Sequence, residues 1–206
     1  MSSALQQVSR FFGEWRILVG TALAGMCLAI LFSLAFIPLQ YGSTERLLIT
    51  LPDATGLDPY TAMKSTERIA GNLTELIYTS NFFHNALAQA KGFDPSVFSG
   101  DEYSQRSEWQ KTIEVSVAPG TGILTLTAYH RLPDQANALA DAVGRELALE
   151  APNFFGYSVR VQVIDAPLNT RWYARPNILM NGGLGLVAGF CVALLWLLVR
   201  WPRRIA

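Results

Sequence analysis

Two runs without a single charged residue constrain this chain more than any other feature. Residues 17–40 read ILVGTALAGMCLAILFSLAFIPLQ, and residues 178–199 read ILMNGGLGLVAGFCVALLWLLV. Each exceeds the ~20 residues that a helix needs to cross a hydrocarbon core about 30 Å thick. Charged residues make up 16% of the whole chain, so two such runs depart sharply from their surroundings. Two buried core helices are the competing reading, but uncharged runs of this length favour membrane spans. Cys27 and Cys191 fall one in each run, so no disulfide framework staples the residues between them.

The basic residues set the expected topology. Arg10 and Arg16 precede the first run with only Glu14 against them, and Arg200, Arg203 and Arg204 follow the second with no acid. Residues 41–177 carry 11 basic and 15 acidic residues. Basic flanks at both ends place both termini in the cytoplasm and translocate the middle. The expected organisation is therefore a cytoplasmic segment 1–16, span 17–40, an extracytoplasmic domain 41–177, span 178–199 and a cytoplasmic tail 200–206. A cleaved signal peptide is the rival for the first span, with Ser33-Leu34-Ala35 as a weak cleavage site. The 16-residue flank and the long apolar run argue against it.

Between the spans, Tyr41–Leu51 alternates as a strand ending at Pro52-Asp53. Asp58-Pro59 opens a helix reaching Tyr78, with Met63, Ile69, Leu73, Leu76 and Ile77 on one face. Ser80 is expected to cap a second helix that Gly92 closes, and Phe93–Gln105 reads as a loop. Thr112–Pro119 and Gly122–His130 alternate around Gly120-Thr121 as a hairpin. Pro133-Asp134 opens a helix to Glu150, with Ala136, Leu139, Ala140, Val143, Leu147 and Ala148 on its apolar side. Gly156–Ile164 is the last strand. The expectation is a small α+β domain, with helices packed on one face of a mixed sheet.

Few residues point to chemistry. His84 and His130 have no second ligand at zinc spacing, no G-x-S-x-G elbow or P-loop occurs, and the domain has no basic stripe for nucleic acid. Glu67, Arg68, Glu75, Asp141, Arg145 and Glu146 read as a solvated charged face, which would also suit subunit contacts. Gly185 and Gly189, continued by Ala193, have the small-xxx-small spacing that lets membrane helices approach closely. Gly20 with Ala24, and Gly25 with Ala29, offer similar faces in the first span. Asn72-Leu73-Thr74 matches a glycosylation sequon of a kind frequent by chance. No enzyme activity, cofactor or metal is expected.

The order of these features carries a resemblance. A basic flank, a span ending near Pro38 and then Tyr41-x-S-T-x-x-L-L-I resemble the entry segment of the Wzz-type chain-length determinants, the polysaccharide co-polymerases. The stretch IEVSVAPGTGILTLTAYHRLPDQANALADAVGRELA is similar to that family's strand–strand–helix unit, with Pro133, Asp134, Ala136, Leu139 and Ala140 at matching positions. Pro167 and Pro176 match the proline-rich segment before its second span. The domain is short for the family, and Asn169–Tyr173 stands where a middle proline is usual. The resemblance implies a non-enzymatic homo-oligomer of the bacterial inner membrane. Its role would be to regulate the chain length or export of a lipopolysaccharide or exopolysaccharide beside a polymerase or export machinery. A fused kinase is not expected. The second reading is an adaptor or activator of a separate cytoplasmic tyrosine kinase, and a third, an anchored hydrolase, lacks a nucleophile–base pair.

Residues 165–177, DAPLNTRWYARPN, then read as the returning stalk. Pro167 is expected to end the last strand. Trp172 and Tyr173 suit the headgroup region, Arg171 and Arg175 can snorkel to lipid phosphates, and Pro176 suits the first turn of the second span.

Overall fold

A computed structural model describes residues 2–52, 58–155 and 159–200. Two compact units emerge, Met1–Leu39 with Arg175–Ala206, and Gln40–Ala174.

The first unit holds two long apolar helices, α1 (Ser2–Phe36) and α6 (Ile178–Arg200). Within them, Glu14–Phe36 and Ile178–Val199 are long and apolar enough to cross a membrane. Only 17% of either stretch is buried, whereas the core helix of a soluble protein would be mostly covered. Leu28, Leu31, Leu179 and Leu198 are all exposed. Helix α1 stops at Phe36, four residues before the end of the apolar run 17–40. Ile37 precedes Pro38, whose ring disfavours helical backbone at the residue before it. Asn177 caps α6, its side-chain oxygen accepting from the Met180 N–H at 3.1 Å. Pro176 thus lies ahead of the cap and not in the first turn as the sequence led us to expect.

The second unit is an α+β domain. Its elements are β1 (Tyr41–Thr50), α2 (Pro59–Ile77), α3 (Ser80–Gln89), a 3-10 turn (Pro95–Phe98), α4 (Glu102–Thr112), β2 (Ile113–Val117), β3 (Ile123–His130), α5 (Pro133–Phe155) and β4 (Arg160–Asn169). Asp58 caps α2 by accepting from the Tyr60 and Thr61 N–H groups, as its Asp-Pro opening predicts. The Thr61 hydroxyl first, and then these backbone bonds, hold its carboxyl below the ordinary value. Thr79, and not Ser80, caps α3.

Phe93–Gln105 is not one loop. Asp94 caps the 3-10 turn, and Asp101 caps α4 through the Ser104 N–H at 3.1 Å. Thr112 therefore ends a helix, and the hairpin begins at Ile113. Trp109 pins α4 to the domain: it is 1% exposed, and its indole N–H donates to the Ile77 carbonyl at 2.8 Å. Phe83 and Phe98 meet its ring edge-on.

The sheet order is β2-β3-β1-β4, and every neighbouring pair is antiparallel. This corrects the expected mixed sheet. β3 and β4 run the same way around the α5 crossover, but β1 lies between them, so no parallel pair forms. Leu47, Ile49, Leu124, Leu126 and Ala128 turn to one face, where Leu139, Val143 and Leu147 of α5 join them in the core. Met63, expected on the apolar side of α2, is exposed. Helix α5 continues to Phe155, beyond the expected Glu150. Pro167 does not end β4, which runs on to Asn169. It sits on an edge strand, beside a register shift between Thr44 and Arg46, where a missing N–H is tolerated. Asp53 of the first turn, the beginning of the Gly156–Ile164 reading, and Arg203 and Arg204 lie outside the described residues.

Candidate functional site

The first and last strands of the domain are direct neighbours, which brings its two ends together. Ser43 faces Asn169 and Thr44 faces Leu168 in the ladder. Beyond the strands, the Thr170 N–H donates to the Gly42 carbonyl at 2.8 Å, and the Gly42 N–H donates to the Thr170 hydroxyl at 3.1 Å. The Ala174 N–H reaches the Gln40 carbonyl at 2.8 Å. Tyr41 and Tyr173 meet at a tilt with ring centroids 4.7 Å apart, and their hydrogen bond raises the Tyr41 phenol above its ordinary value. Tyr173 therefore has a partner inside the domain, whereas Trp172, 84% exposed, projects from it, with Arg171 also exposed. The Pro167 carbonyl accepts from the Asn137 amide of α5 at 3.0 Å, tying the stalk to the helix layer. Arg175 and Pro176 belong to the other unit, where Pro176 is buried.

In the helical unit, small residues set how closely α1 and α6 approach. A Cβ added to Gly25 would lie 2.5 Å from the Gly185 carbonyl oxygen and 3.0 Å from the Gly189 Cα. One at Gly185 would lie 2.5 Å from the Ala29 Cβ, and one at Gly189 would meet the Thr21 carbonyl and lie 3.1 Å from the Ala22 Cα. Ala193, 2% exposed, continues the seam. Gly20 has no heavy atom within 4 Å of its would-be Cβ, so the Gly20 side of α1 is open. A feature the glycine spacing did not announce lies beside this seam: the Asn181 amide donates to the Ser33 hydroxyl at 2.7 Å. Its sign in the sequence was Asn181, a polar amide in an otherwise apolar run.

Among the described residues, no group of three or more His, Cys, Asp or Glu could hold a metal ion. His84 is exposed. His130 accepts from the Leu132 N–H at 3.1 Å through Nδ1, and burial lowers its pKa. The charged face read from α2 and α5 holds only in part. Lys64 pairs with Glu67, and Arg145 pairs with Asp141 at 3.0 Å through Nε. Glu146 is 3% exposed, and its carboxyl accepts from Gln89 of α3. Burial raises its pKa, while Asn85 and Gln89 oppose that rise.

Sequence reading missed the most unusual carboxyl, that of Glu45. It lies on the core face of β1, 1% exposed, and Oε2 has no hydrogen-bond partner among the described residues. Burial first, and then the Asp141 charge, push it up to about 8, against the opposing pull of Arg145.

No protein-family model matches the chain, and no curated protein matches it significantly.

Proposed function

We propose that this chain is a non-enzymatic membrane protein of surface-polysaccharide assembly, similar in organisation to the Wzz-type co-polymerases. In this reading α1 and α6 cross the bacterial inner membrane, both termini are cytoplasmic, and the α+β domain lies in the periplasm or outside the cell. Copies of the chain assemble beside a polysaccharide polymerase or export complex and bias the length or amount of polymer released.

One observation carries the reading. The domain starts and finishes on paired strands whose ends are joined by the Ala174–Gln40 bond, and each end continues directly into an apolar helix. The two ends of the domain therefore lie side by side. The outer edge of β4, with Val163, Ile164 and Leu168 exposed, supports contact between copies, because an open strand edge is a ready pairing surface.

Deleting the gene and resolving surface glycan on gels tests the proposal. A changed modal length or amount, restored by the plasmid-borne gene, is the expected result. A glycan profile identical with and without the gene removes it.

A further inference from the structure

The core face of β1 is apolar at Leu47 and Ile49 but carries Ser43 and Glu45 towards its start, both fully covered. Ser43 Oγ, Glu45 Oε2 and Asn169 Oδ1 are the buried side-chain atoms without a hydrogen-bond partner among the described residues. An isolated ionised carboxylate at such a place is costly, so the group keeps its proton instead.

The surroundings fit a neutral carboxyl. On β3 the facing residue is Leu126, flanked on the same side by Leu124 and Ala128, and none carries charge. On β4 the ladder shifts register and skips Glu45: Thr44 pairs with Leu168 and Arg46 with Asp165, and these two pairs turn to the opposite face. Helix α2 presents Ala70, Leu73 and Ile77 to the core. Helix α5 presents Gly144, where an added Cβ would lie 2.6 Å from Glu45 Cδ, so the carboxyl rests on bare helix backbone. The charges that act on it are Asp141 and Arg145, one turn apart on α5 and already paired with each other.

We propose that Glu45 is a proton-operated latch between β1 and α5, closed when its neutral carboxyl rests on Gly144 and released when ionisation draws Arg145 away from Asp141. The carboxyl's displacement from 4.5 to about 8 agrees with this geometry. Its sign fixes the pH window. The closed form is fully favoured below pH 4.5 and loses its advantage as pH rises towards 8. Across that interval each pH unit raises the population of the open form by roughly tenfold. Because β1 follows α1 directly and β4 leads to α6, the latch regulates the strands that carry the domain.

The test uses the full chain in lipid nanodiscs. Infrared difference spectra should show a protonated-carboxyl band that disappears with a midpoint near 8, and Glu45→Gln should lack it. Hydrogen exchange of β1 and α5, corrected for intrinsic rates, should accelerate roughly tenfold per pH unit between about pH 5 and 7.5 in the wild type. The same exchange should stay flat in Glu45→Gln. Asp141→Asn should lower the infrared midpoint and Arg145→Gln should raise it, and both can be read even if Glu45→Gln fails to fold. The same pH profile in Glu45→Gln as in the wild type, or a midpoint unmoved by both α5 substitutions, overturns the proposal.

Discussion

Replacing a glycine inside a helix with alanine ordinarily stabilises a protein by about 1 kcal/mol, because the unfolded chain loses freedom and the helix gains propensity. Gly144 of α5 should reverse that sign. Its new Cβ would meet the Glu45 carboxyl oxygens and lie 2.6 Å from Cδ, and Glu45 is 1% exposed. The side chain must then leave its place opposite Leu126 and beside Leu47, both fully buried. Overpacking a filled core costs about 1–3 kcal/mol; because the Cβ meets both carboxyl oxygens and Cδ at once, the upper part of that range, about 2–3 kcal/mol, applies, and Gly144→Ala should lower stability by about 1–2 kcal/mol net. In a Glu45→Ala background the obstacle is gone, and the same substitution should stabilise by up to ~1 kcal/mol. The pair should therefore show a coupling of roughly 2–3 kcal/mol, well beyond the ~0.5 kcal/mol scatter of independent sites. Chemical denaturation of the four proteins in micelles, followed by tryptophan fluorescence and circular dichroism, measures it. A Gly144→Ala protein more stable than wild type, or equal effects in both backgrounds, would refute the contact.

The same packing predicts three further outcomes. Trp109→Ala should cost about 3–5 kcal/mol, since the indole fills the aromatic cluster and ties α4 to the end of α2; a midpoint shift in urea reads it. Gly189→Leu should separate α1 from α6 and increase protease sensitivity of the full chain in micelles, whereas Gly20→Leu should not, because Gly20 faces open space. Relative to Glu45→Gln, the wild type should lose at most about 3 kcal/mol of stability between pH 4.5 and 7; parallel pH–stability curves would contradict that.

The elements that could be read from sequence were those whose local chemistry and tertiary environment agree. The apolar runs are helices, Asp58-Pro59 caps as its residues predict, and the β-branched alternation around Gly120-Thr121 is the β2–β3 hairpin. Helix α4 escaped notice because EYSQRSEWQKT is polar almost throughout, and burial of Trp109 and Thr112 is what docks it. The sheet order depends on β1 inserting between β3 and β4, a tertiary choice that no strand's own pattern encodes. Pro167 looked like a terminator because its edge position and the adjacent register shift were invisible. Glu146 looked solvated because its satisfying partners, Asn85 and Gln89, lie on another helix. The glycine at 144, in the middle of α5, was a sequence clue to the close approach of Glu45. The Tyr41–Tyr173 pairing likewise joins residues 132 positions apart, so only the fold reveals that one stalk aromatic is committed to the domain while Trp172 is free to project.

The proposed function requires both apolar helices to cross the membrane with residues 41–177 outside the cytoplasm, and cysteine accessibility tests this most directly. With Cys27 and Cys191 replaced by alanine, a single cysteine is placed either at Tyr103, 82% exposed on α4, or at Ser2 near the N-terminus. In intact spheroplasts a membrane-impermeant maleimide should label Tyr103→Cys at once and Ser2→Cys only after permeabilisation. Labelling of Ser2→Cys without permeabilisation, or protection of Tyr103→Cys until lysis, would contradict the account.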